Sequence, residues 1–192
     1  MERRAVIERV TKETEIELLL DLDGGIVNAK TGIGFFDHML TALAFYAGFG
    51  LTLTVKGDLY VDGHHTVEDT GIVLGQAFLK ALGDKKGIRR FASAYVPMDE
   101  ALCFTALDIS GRPFLVFDAP MPQERIGDYD ACLTVEFMRA FSTHGGVTLH
   151  QKALYGGNAH HITEGLFKSL GLALKDALRR EDDTVRSTKG VL

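Results

Sequence analysis

Apolar and polar positions along the chain follow two different periods. From Arg4 to Asp21 they alternate, interrupted at Thr11 to Thr14 and followed by a turn signal in DLDGG, which is the pattern of two antiparallel strands. The run FFDHMLTALAFYA, Phe35 to Ala47, has apolar residues at helical spacing and stops at Gly-Phe-Gly. It predicts a helix, then a strand in LTLTV from Leu51. A polar loop leads to a second helix in TVEDTGIVLGQAFLKALGD, with Thr66 and Asp69 as start signals and Gly83 as the stop.

The same order then recurs. FASAYVPMDEALCFTALDISGR reads as two strands and a turn, VEFMRAFSTHGG as a helix, VTLHQKAL as a strand and HHITEGLFKSLGLALKDAL as a closing helix. Aligned on the adjacent pairs His64-His65 and His160-His161, Leu74 falls on Leu170, Gly75 on Gly171, Ala77 on Ala173, and Ala81-Leu82 on Ala177-Leu178. The chain reads as one α+β domain, 1–192, made of two similar halves, about 1–90 and 91–180, with a polar tail, 181–192. The tail is expected to be loose until something orders it.

Composition excludes several classes. With 192 residues, 46% hydrophobic and 24% charged, the chain is long and apolar enough for a sizeable core and is neither disordered nor fibrous. A net charge of -5 without a long basic run argues against nucleic acid or a membrane surface as partner. The first twenty residues never give an uninterrupted apolar run, so they read neither as a secretory signal nor as a spanning helix. The expected setting is cytoplasmic, with Met1 opening the mature chain. Cys103 and Cys132 are too few for a disulfide framework and lack Cys-x-x-Cys spacing, so they read as inert thiols in a reducing compartment.

Histidine carries the chemistry. Two of the motifs have the form His-His-x-x-Glu: His64, His65, Glu68 and His160, His161, Glu164. A shuffled chain of this composition would show the pattern once in roughly a hundred trials and twice in about ten thousand. On a helix the first His and the Glu, four apart, share a face, while the second His points aside, so each pair can feed two different metals. Imidazole with carboxylate suits Mn(II), Fe(II), Zn(II) or Ni(II), and the absence of thiolate disfavours a closed structural zinc site. A helix N-terminus also disfavours imidazolium and leaves nitrogen free to coordinate. His38 in the first helix has Glu136 as its nearest counterpart in the second half, and each could complete a site. His144 reads as a surface residue and His150 as a satisfied polar residue on a strand.

Five segments, FFDHML from Phe35, DGHHTVEDTGI from Asp62, LDISGRP from Leu107, HHITEGLFK from His160 and STKGVL from Ser187, resemble the imidazoleglycerol-phosphate dehydratases of histidine biosynthesis, in family order over nearly the whole chain. The resemblance implies helices packed between two four-stranded mixed sheets. It also implies a manganese-dependent removal of water from a phosphorylated imidazole substrate, with two Mn(2+) ions per active site. The implied assembly is a large homo-oligomer, a 24-mer, with metal sites between subunits. Metal ligands then fall on His38, His64, His65, Glu68, Glu136, His160, His161 and Glu164, Glu136 standing where some relatives have His. Substrate contacts fall on Glu13, Arg90, Arg112, Lys168, Ser187 and Lys189, and the four cations are what a phosphate monoester requires.

The proton to be removed lies on a carbon with no adjacent carbonyl, so electrons need a store. The substrate's own imidazole can serve if both nitrogens bind metal and the ring ionises, expelling the neighbouring hydroxyl through a diazafulvene-like species. A carboxylate then takes the proton, and the enol relaxes to the ketone. Glu13 is the expected base, with Glu68, Glu164 or a metal-bound hydroxide as competitors. Two other classes use similar ligands: a dinuclear metallohydrolase of a phosphorylated or amide substrate, and a metal-storing helical bundle. Storage has no need of Arg112, Lys168 and Lys189, and a hydrolase would release phosphate or amine instead of forming a ketone.

Overall fold

The structure is a computed structural model that describes residues 3–190, so Met1, Glu2 and the closing Val191 and Leu192 of the tail lie outside the described residues. In the first half β1 (Arg4–Val10), β2 (Thr14–Asp21), β3 (Val27–Lys30) and β4 (Gly50–Gly57) form one sheet in the order β1-β2-β4-β3. The helices α1 (Gly34–Ala47) and α2 (His64–Leu82) belong to the same half. The second half repeats this with β5 (Phe91–Met98), β6 (Ala101–Asp108), β7 (Phe114–Asp118) and, after a two-stranded hairpin of β8 (Arg125–Ile126) and β9 (Tyr129–Asp130), α3 (Leu133–Gly145), β10 (Thr148–Tyr155) and α4 (Ala159–Ala177). Its sheet order, β5-β6-β10-β7, is the same as that of the first. In both sheets three strands are antiparallel and the last is parallel to its neighbour.

Alternation explains which face each sheet turns inward. Ile16, Leu18 and Leu20 of β2 and Leu51, Leu53 and Val55 of β4 are buried beneath α1 and α2, while Cys103, Thr105 and Leu107 of β6 lie beneath α4. Helices thus fill the space between two sheets, and the halves meet where α1 packs on α4 and α2 on α3. No helix among the described residues is long and apolar enough to cross a membrane.

The repeated glycines mark those helix contacts. A Cβ on Gly75 would lie 2.9 Å from the Phe141 carbonyl oxygen, and one on Gly171 would lie 2.7 Å from that of Leu43, so each helix pair approaches closely where it has no side chain. Gly71 meets Phe137 and Ala140 while Gly75 meets Phe141 to Gly145, which makes α2 parallel to α3. The contacts of Glu164 with His38 and of Gly171 with Leu43 to Ala47 make α4 parallel to α1. Gly63 sits against Ile33 and Leu133, so the starts of α1, α2 and α3 gather at one end of the molecule.

Local signals missed some elements. β3, β7 and the β8–β9 hairpin escape the sequence pattern because they are short and their alternation leaves few residues fully buried. α2 begins at His64, earlier than Thr66 predicts. Thr66 is buried with its hydroxyl unpaired, and Asp69 is taken up by Thr14 and Arg9 of the first hairpin instead of a capping box. The N-cap is Gly63, and Asp62 just before it accepts from the His64 N–H at 2.7 Å through Oδ1, as the N-cap Asn158 of α4 accepts from the His160 N–H at 2.9 Å.

Candidate active site

Parallel packing of α1 on α4 brings His38 to the first turns of α4. His38 Nε2 lies 3.6 Å from Glu164 Oε1, and His160 Nε2 lies 3.3 Å from Glu164 Oε2. A donor atom from each of these three residues falls within 4.8 Å of the others, the one such cluster among the described residues. Two imidazole nitrogens and a carboxylate at that spacing fit a first-row divalent ion that prefers nitrogen and oxygen. Glu164 is 6% exposed, and burial pushes its carboxyl upward. The hydrogen bond and charge of Lys168, with His38 and His160, outweigh burial and hold it below the ordinary value. Lys168 Nζ donates to Glu164 Oε1 at 2.8 Å and lies 5.5 Å from the centre of the Tyr46 ring.

At the start of α2, His64 Nε2 is 3.4 Å from Glu68 Oε2 on the shared face. Glu136, which occupies on α3 the place of His38 on α1, pairs with Arg139 instead of joining them. The second histidine of each motif turns aside, as its three-residue offset from the Glu requires. His65 Nδ1 meets Asp58 Oδ2 at 3.0 Å, leaving Nε2 3.7 Å from Glu13 Oε1. His161 Nδ1 meets Glu100 Oε2 at 2.7 Å, with Nε2 3.6 Å from Asp99 Oδ2. Both rings titrate above the usual histidine range, because Asp58 and Glu100 accept their hydrogen bonds, and His161 pulls Glu100 down to about 2.

The remaining cations gather elsewhere. Arg90, Arg112, Ser187 and Lys189 line a cavity of about 540 Å³ together with Lys85, Ser110 and Thr188. Arg90 is fixed by donating to both Asp108 oxygens, at 2.7 and 3.1 Å, and to the Arg186 carbonyl at 2.6 Å. Arg112 is largely exposed, with Nε donating to Ser110 Oγ at 3.5 Å and a 3.8 Å approach to Asp108. The tail is irregular yet docked, since Gly87 N–H donates to the Thr184 carbonyl and Glu181 N–H to the Gly87 carbonyl. Arg90 N–H donates to the Ala177 carbonyl, which places this cavity at the C-terminal end of α4, opposite His160 and Glu164.

Neither His144, half-buried at the end of α3, nor the exposed His150 on β10 joins a donor cluster among the described residues. Burial pushes the Cys103 thiol up to about 11, while Cys132 is exposed. Asp58, Glu100 and Lys85 escaped the sequence reading. Glu100 had a signal: it precedes the second strand of its half as Glu13 precedes β2.

The family model for imidazoleglycerol-phosphate dehydratase matches residues 31–174. The chain is 54% identical to the imidazoleglycerol-phosphate dehydratase of Acetivibrio thermocellus over 100% of both chains, and 52% identical to that of Cereibacter sphaeroides over 99% of this chain and 100% of the other. Its fold is similar to the crystal structure of the Staphylococcus aureus dehydratase, with TM-score 0.84 and 37% identity over 93% of this chain and 99% of that one. It is also similar to the Pyrococcus furiosus enzyme in complex with (S)-C348, with TM-score 0.85 and 40% identity over 97% and 100%.

Proposed function

The chain belongs to the imidazoleglycerol-phosphate dehydratase family, and from that premise we propose that it removes water from imidazoleglycerol phosphate to give imidazole-acetol phosphate. It is a hydro-lyase of histidine biosynthesis, working in the cytoplasm with manganese. The observation that carries this reading is the pairing of a nitrogen-and-carboxylate cluster with a cavity lined by four cations and no carboxylate.

The two ends of the site lie far apart in one chain. Glu164 and Ala177 are separated by most of α4, about 20 Å at 1.5 Å per residue, whereas the substrate spans about 9 Å from ring nitrogen to phosphorus at ordinary bond lengths. Each active site is therefore completed by a neighbouring copy in a large homo-oligomer.

His38, His160 and Glu164 would hold one Mn(2+), and His64 and Glu68, with Glu136 by the repeat, the second. His65 and His161, each with Nδ1 held by a carboxylate, keep Nε2 for a neighbouring copy's ion. Bound there, the two ions would draw electron density from the substrate's imidazole, easing ring ionisation and loss of the adjacent hydroxyl.

Glu13, exposed beside His65, travels with it to the neighbouring site and takes the carbon-bound proton. Glu164 is poorly suited to that task, because it is buried and hydrogen-bonded to Lys168. Arg112, Lys189 and Ser187 grip the phosphate, Arg90 stands fixed behind them, and the tail covers it. The test is ketone formation from imidazoleglycerol phosphate by chelated protein with Mn(2+) added back. Activity should depend on the added metal, and release of inorganic phosphate without ketone would favour the hydrolase and defeat this reading.

A further inference from the structure

Residues 119–132, between β7 and α3, have no counterpart in the first half, where residues 31–33 alone join β3 to α1. This extra segment reaches back to the half to which it does not belong. Its Asp128 accepts hydrogen bonds from the Gly34 N–H at 2.8 Å and the Phe35 N–H at 3.3 Å. α1 needs that carboxylate, since its N-cap is Ile33, whose side chain makes no capping hydrogen bond. A negative charge there also meets the positive end of the helix dipole.

Gln123 serves α4 in the same way. Its Oε1 accepts from the Ala159 N–H at 2.7 Å, and its Nε2 donates to the Gly157 carbonyl at 3.3 Å. Next to Asp128, Tyr129 is fully buried, stacked on Phe36 at 5.9 Å and tilted against Phe35 at 5.4 Å. Phe35 in turn stands edge-on to His160 at 4.9 Å.

The tied helices, α1 and α4, are those whose side chains converge in the His38, His160 and Glu164 cluster. Their counterparts by the repeat, Glu136, His64 and Glu68, stand on α3 and α2. There the equivalent connection, residues 31–33, is too short to form such a hairpin, and Glu136 turns to Arg139. We propose that residues 119–132 are a clamp that sets the separation of α1 and α4, with Asp128 the positioning residue for His38. The inference rests on the metal reading given above.

The experiment is Mn(2+) titration, by calorimetry, of the chelated full-length protein and its Asp128→Ala, Asp128→Asn, His38→Ala and doubly substituted Asp128→Ala, His38→Ala forms, with thermal unfolding recorded alongside. Asp128→Ala should weaken one of the two sites by roughly ten-fold or more, the usual effect of losing a group that orients a ligand, and leave the other unchanged. Asp128→Asn, which keeps an acceptor, should lose less and serves if the alanine variant does not fold. With His38 already replaced, Asp128→Ala should leave the remaining affinity as it is. Wild-type affinity in both Asp128 variants, or an equal loss in the His38→Ala background, would overturn the clamp alone. A wild-type protein that takes up no Mn(2+) would remove the metal reading and the clamp with it.

Discussion

Subunit complementation tests the divided site most directly. Consider Glu164→Gln, which damages the cluster at the start of α4, and Arg112→Ala, which damages the cavity at its end. Each variant alone should be nearly inactive. If one chain supplied both ends of a site, mixed assemblies would stay inactive, because every chain carries a lesion. The helix makes that arrangement unworkable, since it separates the ends by about 20 Å and the substrate bridges about 9 Å. If instead cluster and cavity come from different copies, equal random mixing leaves half the clusters and, independently, half the cavities intact. About a quarter of the sites in the closed assembly then have both. Co-expression with two different tags, followed by sequential purification on each, gives assemblies known to contain both variants, and turnover is measured against wild type. Recovery near one quarter is expected. Mixed assemblies of verified composition with no more activity than either parent would refute the reasoning.

Other predictions follow from single contacts. Glu13→Gln should retain Mn(2+) and substrate binding while losing turnover, and near-normal turnover would remove Glu13 as the base. Gly171→Ala puts a methyl group 2.7 Å from the Leu43 carbonyl oxygen. Overpacking of about 1–3 kcal/mol should exceed a helix-propensity gain of up to about 1 kcal/mol, lowering the midpoint of thermal unfolding, and an unchanged or higher midpoint would contradict the close approach. For the His161–Glu100 pair, the raised histidine contributes stability below its unfolded value of 6.5 and loses it as pH rises through its folded value. The lowered glutamate contributes above 4.5 and loses it as pH falls towards about 2. Metal-free Glu100→Gln should therefore melt below wild type chiefly between about pH 4.5 and 6.5, and a deficit independent of pH would show that the pair does not titrate in this way.

Periodicity revealed the longer elements because their burial is one-sided. β2 and α1 each hide one face and expose the other, and that contrast is written in the residues. The two matched His-His-x-x-Glu frames likewise pointed to the His160 and Glu164 donors that meet His38, since residues four apart on a helix return to the same face. What stayed illegible depends on distant parts of the chain. Asp128 caps a helix 94 residues away, and Asp58 is an acidic loop residue like many others until the fold sets it against His65. Lys85 enters the cavity through a backbone with φ +60°, which no local pattern in GDKKG announces.

Duplication also poses the question of why one half carries a cavity lined by cations without a carboxylate and the other does not. The strand registers place Arg4 opposite Asp21 and Phe91 opposite Asp108, so Arg3 corresponds to Arg90, Asp23 to Ser110 and Gly25 to Arg112. A cavity of about 520 Å³ does lie beside Arg3, close in size to the other. Both arginines also donate to a carbonyl of the chain beyond α4, Arg3 to Leu178 and Arg90 to Arg186. The difference lies in the lining. Asp23 stands where the second half has Ser110 and takes the Arg3 guanidinium, and Asp176 offsets Arg179. The cavity beside Arg90 has no carboxylate in its lining, and Asp108 holds Arg90 from behind. A phosphate entering beside Arg3 would meet the carboxylates of Asp23 and Asp176, which already pair with Arg3 and Arg179, whereas beside Arg90 it meets Arg112 and Lys189 in a lining without a carboxylate. Divergence at these positions, with the tail on one side only, is enough to leave one of two similar hollows suited to the proposed phosphate in a chain whose net charge is negative.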